Sequence, residues 1–407
     1  MEGGLRLCAS LAILASGLVL AGPVSAQPMN GQLTNGQRQQ CDISRDPQRV
    51  ISACTAIVNS GMSNPAVSLA LSNRGVAYEK LGELDRAMAD YNEAIRRDPT
   101  NPHAWANRGK LYLDRGDFDL ALSDYDRDIQ LHPNNPFALG HRADAYFIHG
   151  DPKRALEDYD KAIKIDSRNF ALFIRRGEAL RATGQDDRAL ADFDHAIALD
   201  AKAPVAYVNR GLMRAAKGDY DHAIEDLNTA AKLDPKSGMA FSARAEVYEA
   251  KGDRDRAVSD LSEAMTREPN AQLLVRRGNL YQAMGQYDRA VGDYGEALKA
   301  DPNLVAAYVN RANAFARTEN YARALADYDQ AARLDGGSMG ILLNRGVVRV
   351  KAGEYAPAVA DFDRVLARNP DNPLALYYRG LAKRGTNDSS ADADLARARA
   401  LDPNVDK

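Results

Sequence analysis

An arginine recurs along this chain at a nearly constant interval. Each step is 34 residues, except for one step of 33 residues before Arg277. Every one of these arginines is followed directly by glycine or alanine, and an aspartate lies sixteen residues after it, or fifteen in the last copy. The arginines are Arg74, Arg108, Arg142, Arg176, Arg210, Arg244, Arg277, Arg311, Arg345 and Arg379, and the aspartates are Asp90, Asp124, Asp158, Asp192, Asp226, Asp260, Asp293, Asp327, Asp361 and Asp394. A fixed interval of this length is typical of a repeat architecture, in which one supersecondary unit is copied along the chain.

Within a copy, the apolar and small residues follow a helical spacing. We number the positions of a copy from Ser68, which puts Arg74 at position 7. Positions 4, 8 and 11 share one helix face, as do positions 20, 24 and 27. A glycine near position 15 indicates a turn between two helices, and Asp-Pro, as in Asp234-Pro235, ends the pair. One helix pair cannot bury its own apolar faces, so the pattern predicts an all-α fold in which the copies stack into a solenoid.

The residues at these positions resemble the tetratricopeptide repeat. The first copy supplies Leu71, Gly75, Tyr78, Ala87, Tyr91, Ala94 and Pro99, and the second supplies Trp105, Gly109, Tyr112, Ala121, Tyr125 and Pro133, with Asp128 departing from the small residue at position 27. The resemblance covers ten copies over residues 68–404. It implies an α-solenoid, a right-handed superhelix of stacked antiparallel helix pairs, whose first helices line a concave groove for protein or peptide partners.

The N-terminal residues differ from the repeats. Residues 1–26 combine one arginine, an apolar run and a small-residue ending, which predicts a signal peptide cleaved after Ala26. The alternative is an uncleaved membrane anchor, for which the run is somewhat short. Residues 27–40 are polar and predict a disordered mature N-terminus, and residues 41–67 resemble a degenerate half-repeat that caps the first copy. We therefore expect an exported protein of the periplasm or cell envelope, or a secreted one, with no integral membrane segment after cleavage.

Removal of the signal peptide leaves two cysteines, Cys41 and Cys54. Because an exported protein enters an oxidising compartment, this pair predicts one disulfide that fastens the half-repeat. Two free buried thiols are the alternative.

The repeated arginine and aspartate come opposite each other on the two helices of an antiparallel pair. We interpret Arg74 with Asp90, and Arg210 with Asp226, as structural ion pairs that clamp each helix pair or link it to its neighbour. The alternative is a charged ladder facing a ligand, but a partner surface should vary along the array, and these pairs do not.

The groove positions of the late copies predict a binding surface, although their residues could instead pack adjacent first helices together. Asparagine holds position 6 in five copies, where the resemblance implies hydrogen bonds to the backbone of an extended peptide. The predicted peptide-binding strip consists of Val309, Asn310, Leu343, Asn344, Val347, Val350, Tyr377 and Leu381. At position 11, Arg214, Arg349 and Lys383 replace the aromatic residue, and we expect them to extend toward solvent, with contact to a ligand as the alternative.

Composition excludes several other functions. A net charge of -3 without a basic patch argues against nucleic acid as a partner. The sequence contains no nucleophile elbow, metal-ligand spacing or phosphate loop, which predicts no catalytic residue, no metal and no cofactor. The sequence therefore predicts a non-catalytic scaffold or adaptor. The alternatives are an accessory subunit or regulator of a cell-envelope enzyme or assembly machine, and a self-assembling structural array.

Overall fold

The computed structural model describes residues 41–44 and 46–406. The predicted signal peptide (1–26) and the predicted N-terminal segment (27–40) lie outside these residues. The described residues form 21 helices and no strand. The helices are α1 (Pro47–Val58), α2 (Asn64–Lys80), α3 (Leu84–Arg97), α4 (Pro102–Arg115), α5 (Phe118–Leu131), α6 (Pro136–Ile148), α7 (Pro152–Ile165), α8 (Phe170–Ala182), α9 (Asp186–Leu199), α10 (Pro204–Ala216), α11 (Tyr220–Leu233), α12 (Met239–Lys251), α13 (Arg254–Arg267), α14 (Ala271–Ala283), α15 (Tyr287–Ala300), α16 (Val305–Arg317), α17 (Tyr321–Leu334), α18 (Met339–Lys351), α19 (Tyr355–Arg368), α20 (Pro373–Gly385) and α21 (Ala391–Leu401).

Helices α2 to α21 form ten pairs, one for each predicted repeat, which confirms the all-α repeat fold. The chain divides into two compact units, Met1–Lys217 and Gly218–Lys407, and the division falls between the two helices of the fifth pair. Within each unit, consecutive helices pack against each other. Because the connections inside a pair are short, the two helices run antiparallel.

Local sequence signals place the helix ends. The side chain of Asn101 accepts a hydrogen bond from the backbone N–H of His103, and Pro102 occupies the first turn of α4. Gly116 ends the same helix with φ of 82°, a left-handed conformation that glycine adopts without steric cost. The connection to α5 is therefore tight, and the two helices of the pair remain close.

Within each unit, the core of a helix pair lies between position 8 of its first helix and position 24 of its second. A Cβ atom added at Gly177 would come within 2.6 Å of Cε1 of Phe193, whose side chain is fully buried. The small residue after each repeated arginine thus leaves space for a large side chain, and the alternation of small and large residues gives close packing between the helices.

The first helix of the chain covers the first repeat. Helix α1 buries Val50, Cys54 and Ile57, and these side chains pack with Ala70 and Ala77 of α2. A disulfide joins Cys41 to Cys54. Residues 41–44 and α1 are thereby linked covalently at the end of the repeat array where the first pair has no preceding repeat.

Candidate functional site

In each of nine copies, the repeated arginine binds the repeated aspartate of the same helix pair through two hydrogen bonds. In the first copy, Nε and Nη2 of Arg74 donate to the two carboxylate oxygens of Asp90, each at 2.7 Å. Eight further pairs repeat this two-bond geometry, with distances of 2.5 to 3.0 Å: Arg108–Asp124, Arg142–Asp158, Arg176–Asp192, Arg244–Asp260, Arg277–Asp293, Arg311–Asp327, Arg345–Asp361 and Arg379–Asp394. The planar guanidinium matches a carboxylate in this arrangement, which combines charge with fixed orientation.

The fifth copy spans the division between the two units. Arg210 lies on α10 of the first unit, where its Nη1 donates to Asp194 at 2.7 Å. Asp226 is buried on α11 of the second unit. Both side chains make further interactions.

A second contact of these arginines was not evident from the sequence. The remaining nitrogen, Nη1, donates to the residue at position 25 of the preceding copy, as Arg108 does to Asn92 at 2.7 Å. The acceptors of this kind are Asn92, Asp126, Asp160, Asp194, Asn228, Ser262, Asp329 and Asp363. In the first copy the acceptor is Thr55 of α1, at 2.9 Å, so α1 supplies the acceptor that a preceding repeat would otherwise supply. Each such arginine therefore connects its own pair to the one before it.

Burial and the charge of the partner shift the pKa values of these side chains in opposite directions. The hydrogen bond to Asp124 raises the pKa of Arg108 above its ordinary value, and desolvation only partly offsets this. Desolvation also raises the pKa of Asp124, because burial outweighs the effect of the adjacent guanidinium on that carboxyl. The arginine is thus held firmly in its charged form, while the aspartate depends on the arginine to remain charged in its buried position.

The cations at position 11 differ from the sequence-based expectation. Nη1 of Arg349 lies 2.7 Å from Oδ2 of Asp361, and Nζ of Lys383 lies 2.9 Å from Oδ2 of Asp394. Both side chains turn toward the repeated aspartate instead of extending to solvent, because a buried carboxylate attracts a second cation that can reach it. The third residue of this group, Arg214, also has interaction partners.

The apolar residues of the predicted peptide-binding strip are half-buried. Val309, Leu343, Val347, Val350, Tyr377 and Leu381 all keep part of their surface exposed. Four of them, Leu343, Val347, Val350 and Tyr377, pack against a core cluster that contains Phe362 and Leu376. Val309 packs in the same way on the neighbouring cluster around Tyr328. The strip therefore both contributes to the packing of the last repeats and presents apolar surface.

The asparagines at position 6 are engaged in different ways. Asn209 donates to Glu178 at 3.0 Å, and Asn310 donates to Asn279 at 2.9 Å, so two of the five bind a side chain at position 9 of the preceding repeat. The amide of Asn344 makes no hydrogen bond within the described part of the chain. Of the two asparagines in the strip, Asn344 is therefore the one whose amide group is available to a ligand.

Asn73, another of the position-6 asparagines, already binds backbone. Nδ2 of Asn73 donates to the carbonyl oxygen of Cys41 at 2.9 Å, and Nζ of Lys80 donates to that of Ile43 at 2.6 Å. Residues 41 to 44 are not helical. The first helix of a repeat thus holds an irregular segment of the chain through its side chains.

The early first helices carry charged groups that are largely buried. Glu178 is almost fully buried, accepts the Asn209 hydrogen bond, and lies 3.7 Å from Arg175. Burial raises the pKa of the Glu178 carboxyl. The ring of His141 stacks on that of Tyr125 with centroids 5.9 Å apart, and desolvation lowers the pKa of the histidine. The repeat positions of these groups give no indication of how deeply they are buried.

Two further properties of the described residues concern metal binding and membrane insertion. Among residues 41–44 and 46–406, no three or more His, Cys, Asp or Glu side chains are arranged to hold a metal ion. Over the same residues, every helix is too short or too polar to cross a bilayer.

These features define a helical repeat protein. Family models of the tetratricopeptide repeat match residues 68–101, 106–170, 142–204, 204–237, 275–338 and 343–405. One of these models alone matches more than half of the chain. The chain therefore belongs to the tetratricopeptide repeat family, as predicted, and its fold is one that serves protein–protein interaction.

The chain is also similar to several solved structures. A tetratricopeptide repeat protein from Parabacteroides merdae ATCC 43184 is 23% identical, with a TM-score of 0.50, over 61% of this chain and 98% of that chain. PilW, described as a widely conserved type IV pilus biogenesis factor, is 20% identical with a TM-score of 0.46, over 49% of this chain and 93% of that one. MamA is 29% identical with a TM-score of 0.35, over 39% of this chain and 94% of that one. No curated protein matches the sequence. The first of these similarities shows the fold alone.

Proposed function

We propose that this protein is an exported, non-catalytic scaffold or adaptor that binds a protein or peptide partner through the first helices of its repeats. The family supports the interaction role, since its fold serves protein–protein contact. The signal-like residues 1–26 and the Cys41–Cys54 disulfide support export, because disulfides persist mainly in oxidising compartments.

One hydrogen bond in the structure supports this mode of binding. The hydrogen bond from Asn73 to the carbonyl of Cys41 is a contact between a position-6 asparagine and the backbone of a non-helical segment. Asn344 has the same position in the ninth repeat, and its amide makes no hydrogen bond within the described residues. We expect Asn344 to hold a partner's backbone in the way that Asn73 holds the chain's own.

The strip supplies the apolar part of the interaction. Side chains of an extended partner segment would cover the exposed parts of Val347, Tyr377 and Leu381, beside the Asn344 amide. Apolar burial gives about 25 cal/mol per Å² before the costs of association are subtracted. The asparagine then fixes the register of the segment more than it adds affinity.

The test must avoid the packed members of the strip. Because Leu343 and Val347 pack against the Phe362 cluster, a charged substitution there would destabilise the fold as well as the surface. Leu381 is half-buried and lies outside that cluster, and Leu334 is an exposed leucine in the same unit but outside the strip. These two leucines form a matched pair for substitution and for crosslinking.

A photo-crosslinking residue placed at Leu381 in the full chain should trap a discrete partner in cells, and one placed at Leu334 should not. Asn344→Ala should weaken that crosslink while leaving the thermal unfolding midpoint nearly unchanged. Equal adducts from both positions, or none from Leu381, would show that the strip is not the binding surface. Adducts with a second copy of this chain would instead favour the self-assembling array.

Export by cleavage has a test of its own. Edman sequencing of the protein isolated from cells should give Gln27 as the first residue. A retained Met1 would contradict export by cleavage.

A further inference from the structure

One of the repeated arginines lacks the contact with the preceding repeat that the others make. In nine copies the Nη1 atom donates to an oxygen from the preceding repeat or from α1, at 2.5 to 2.9 Å. Nη1 of Arg311 has no acceptor among the described residues, because position 25 of the seventh repeat is Gly295. Nε and Nη2 of Arg311 keep both bonds to Asp327, at 2.7 Å each.

The missing side chain leaves an open space beside the guanidinium. A Cβ atom at Gly295 would lie 3.7 Å from Nη1 of Arg311, and a Cβ atom at Gly292, one helical turn earlier on α15, would meet no other atom within 4 Å. The Arg311 side chain retains 23% of its surface, the most of any arginine in these pairs. We call the space between Gly295 and Arg311 the Arg311 notch.

The other repeats indicate what fits this space. In five copies the acceptor on Nη1 is an aspartate carboxylate at 2.6 to 2.8 Å: Asp126, Asp160, Asp194, Asp329 and Asp363. These side chains are 41 to 54% exposed, so an oxygen at this place is reachable from solvent. The guanidinium of a repeated arginine therefore accommodates two carboxylates at once, one on each side.

The geometry points to the Arg311 notch as a binding site for a carboxylate supplied by an aspartate or glutamate side chain of a partner protein. The carboxylate would accept a hydrogen bond from Nη1, as Asp329 does from Arg345 one repeat later. A carboxylate on a protein is favoured over a free anion, because one open donor holds a small ion weakly and neighbouring contacts must supply the remaining affinity. This proposal does not depend on the peptide-binding strip.

The first experiment asks whether the notch accepts a carboxylate. Gly295→Asp should raise the unfolding midpoint above that of Gly292→Asp, which adds the same charge to the same helix one turn away. Gly295→Ala and Gly292→Ala should have the same unfolding midpoint, since both only replace a helix glycine. If Gly295→Asp is no more stable than Gly292→Asp, the notch does not accept a carboxylate and the proposal is wrong.

The second experiment asks whether the notch binds a carboxylate from another molecule. The probe is a fluorescent peptide of eight glutamates, measured by anisotropy at low ionic strength with the full chain. Gly295→Asp, which fills the notch from within, should raise the Kd about fivefold relative to Gln330→Glu, which adds the same charge on α17. Equal Kd values for the two variants would overturn the proposal, as would absence of binding to the parent protein. A strip variant such as Asn344→Ala should leave this Kd unchanged, so failure of the proposed function and failure of the notch can be told apart.

Discussion

At the scale of single residues, Asp128 departs most from the repeat pattern. Position 27 is alanine in eight copies and valine in one, and the side chain there is buried. Asp128 is 0% exposed, its Oδ1 has no hydrogen-bond partner, and its Oδ2 accepts only a long 3.4 Å bond from Asn135. Nδ1 of His132 lies 3.6 Å from Oδ1, beyond hydrogen-bond range. Burial raises the pKa of Asp128 to about 6, and His132 only partly opposes this shift.

A raised carboxyl pKa in the folded state makes stability fall as pH rises. Between the ordinary pKa of 3.8 and the folded value of about 6, the folded protein retains a proton that the unfolded chain has released. We therefore predict that Asp128→Ala stabilises the protein by about 2 kcal/mol at pH 7.5 and by clearly less at pH 4.5. Urea unfolding at the two pH values measures the difference. A gain independent of pH would mean that Asp128 does not titrate in the folded protein, and a loss of stability would mean that its carboxyl is well satisfied.

At the scale of elements, the repeated arginine connects three helices. Arg108 lies on α4, pairs with Asp124 on α5, and donates to Asn92 on α3. Charges held in this way do not by themselves add much stability, because desolvation offsets their attraction. We propose that the contact instead fixes the register of the three helices, since a guanidinium satisfies both acceptors in one geometry only.

Substitution of the two partners separates these effects. Arg108→Met should destabilise the protein by about 3 kcal/mol, because it leaves the Asp124 carboxylate buried and unpaired. Arg108→Met combined with Asp124→Leu should cost less than Arg108→Met alone. Chemical unfolding of the parent, both single variants and the double variant gives the coupling free energy. Strictly additive losses would show that the two residues are energetically independent.

At the scale of the whole molecule, each helix within a compact unit mainly contacts its neighbours in the chain. Stability in such an array is close to a sum over repeats and over their interfaces, so a local change has a local effect. The disulfide between Cys41 and Cys54 lies at one end, on the helix that covers the first repeat. We therefore expect the disulfide to stabilise α1 and α2 and to have little effect on distant repeats.

Reduction of the disulfide tests this expectation. A bridge that closes a loop of this length contributes roughly 3 kcal/mol in the chain-entropy model. We predict that a reducing agent accelerates amide hydrogen exchange in α1 and α2 and leaves exchange in α20 and α21 unchanged, because no cysteine follows Cys54 in the chain. The Cys41→Ser, Cys54→Ser variant should show the same pattern without reductant. Uniform acceleration would contradict the local effect, and unchanged exchange in α1 would show that the bridge does not hold this helix.

The sequence by itself determined the fold and much of its internal order. The spacing of small and apolar residues predicted ten helix pairs, and the described helices and the family assignment confirm that prediction. The interval of sixteen residues placed an arginine opposite an aspartate, and the structure brings Arg74 and Asp90 to 2.7 Å. These features were accessible because they depend on helical periodicity and on one short turn, both of which are local properties of the chain.

Only the tertiary structure decided which polar side chains find a hydrogen-bond partner in a neighbouring repeat. The acceptor for Nη1 comes from the preceding pair, so the lack of a side-chain oxygen at Gly295 became meaningful only when the pairs were stacked. Stacking likewise engages Asn310 with Asn279 and leaves Asn344 available, although both asparagines hold the same repeat position. The distances between neighbouring pairs depend on how their side chains interlock, which no periodicity within a single copy specifies.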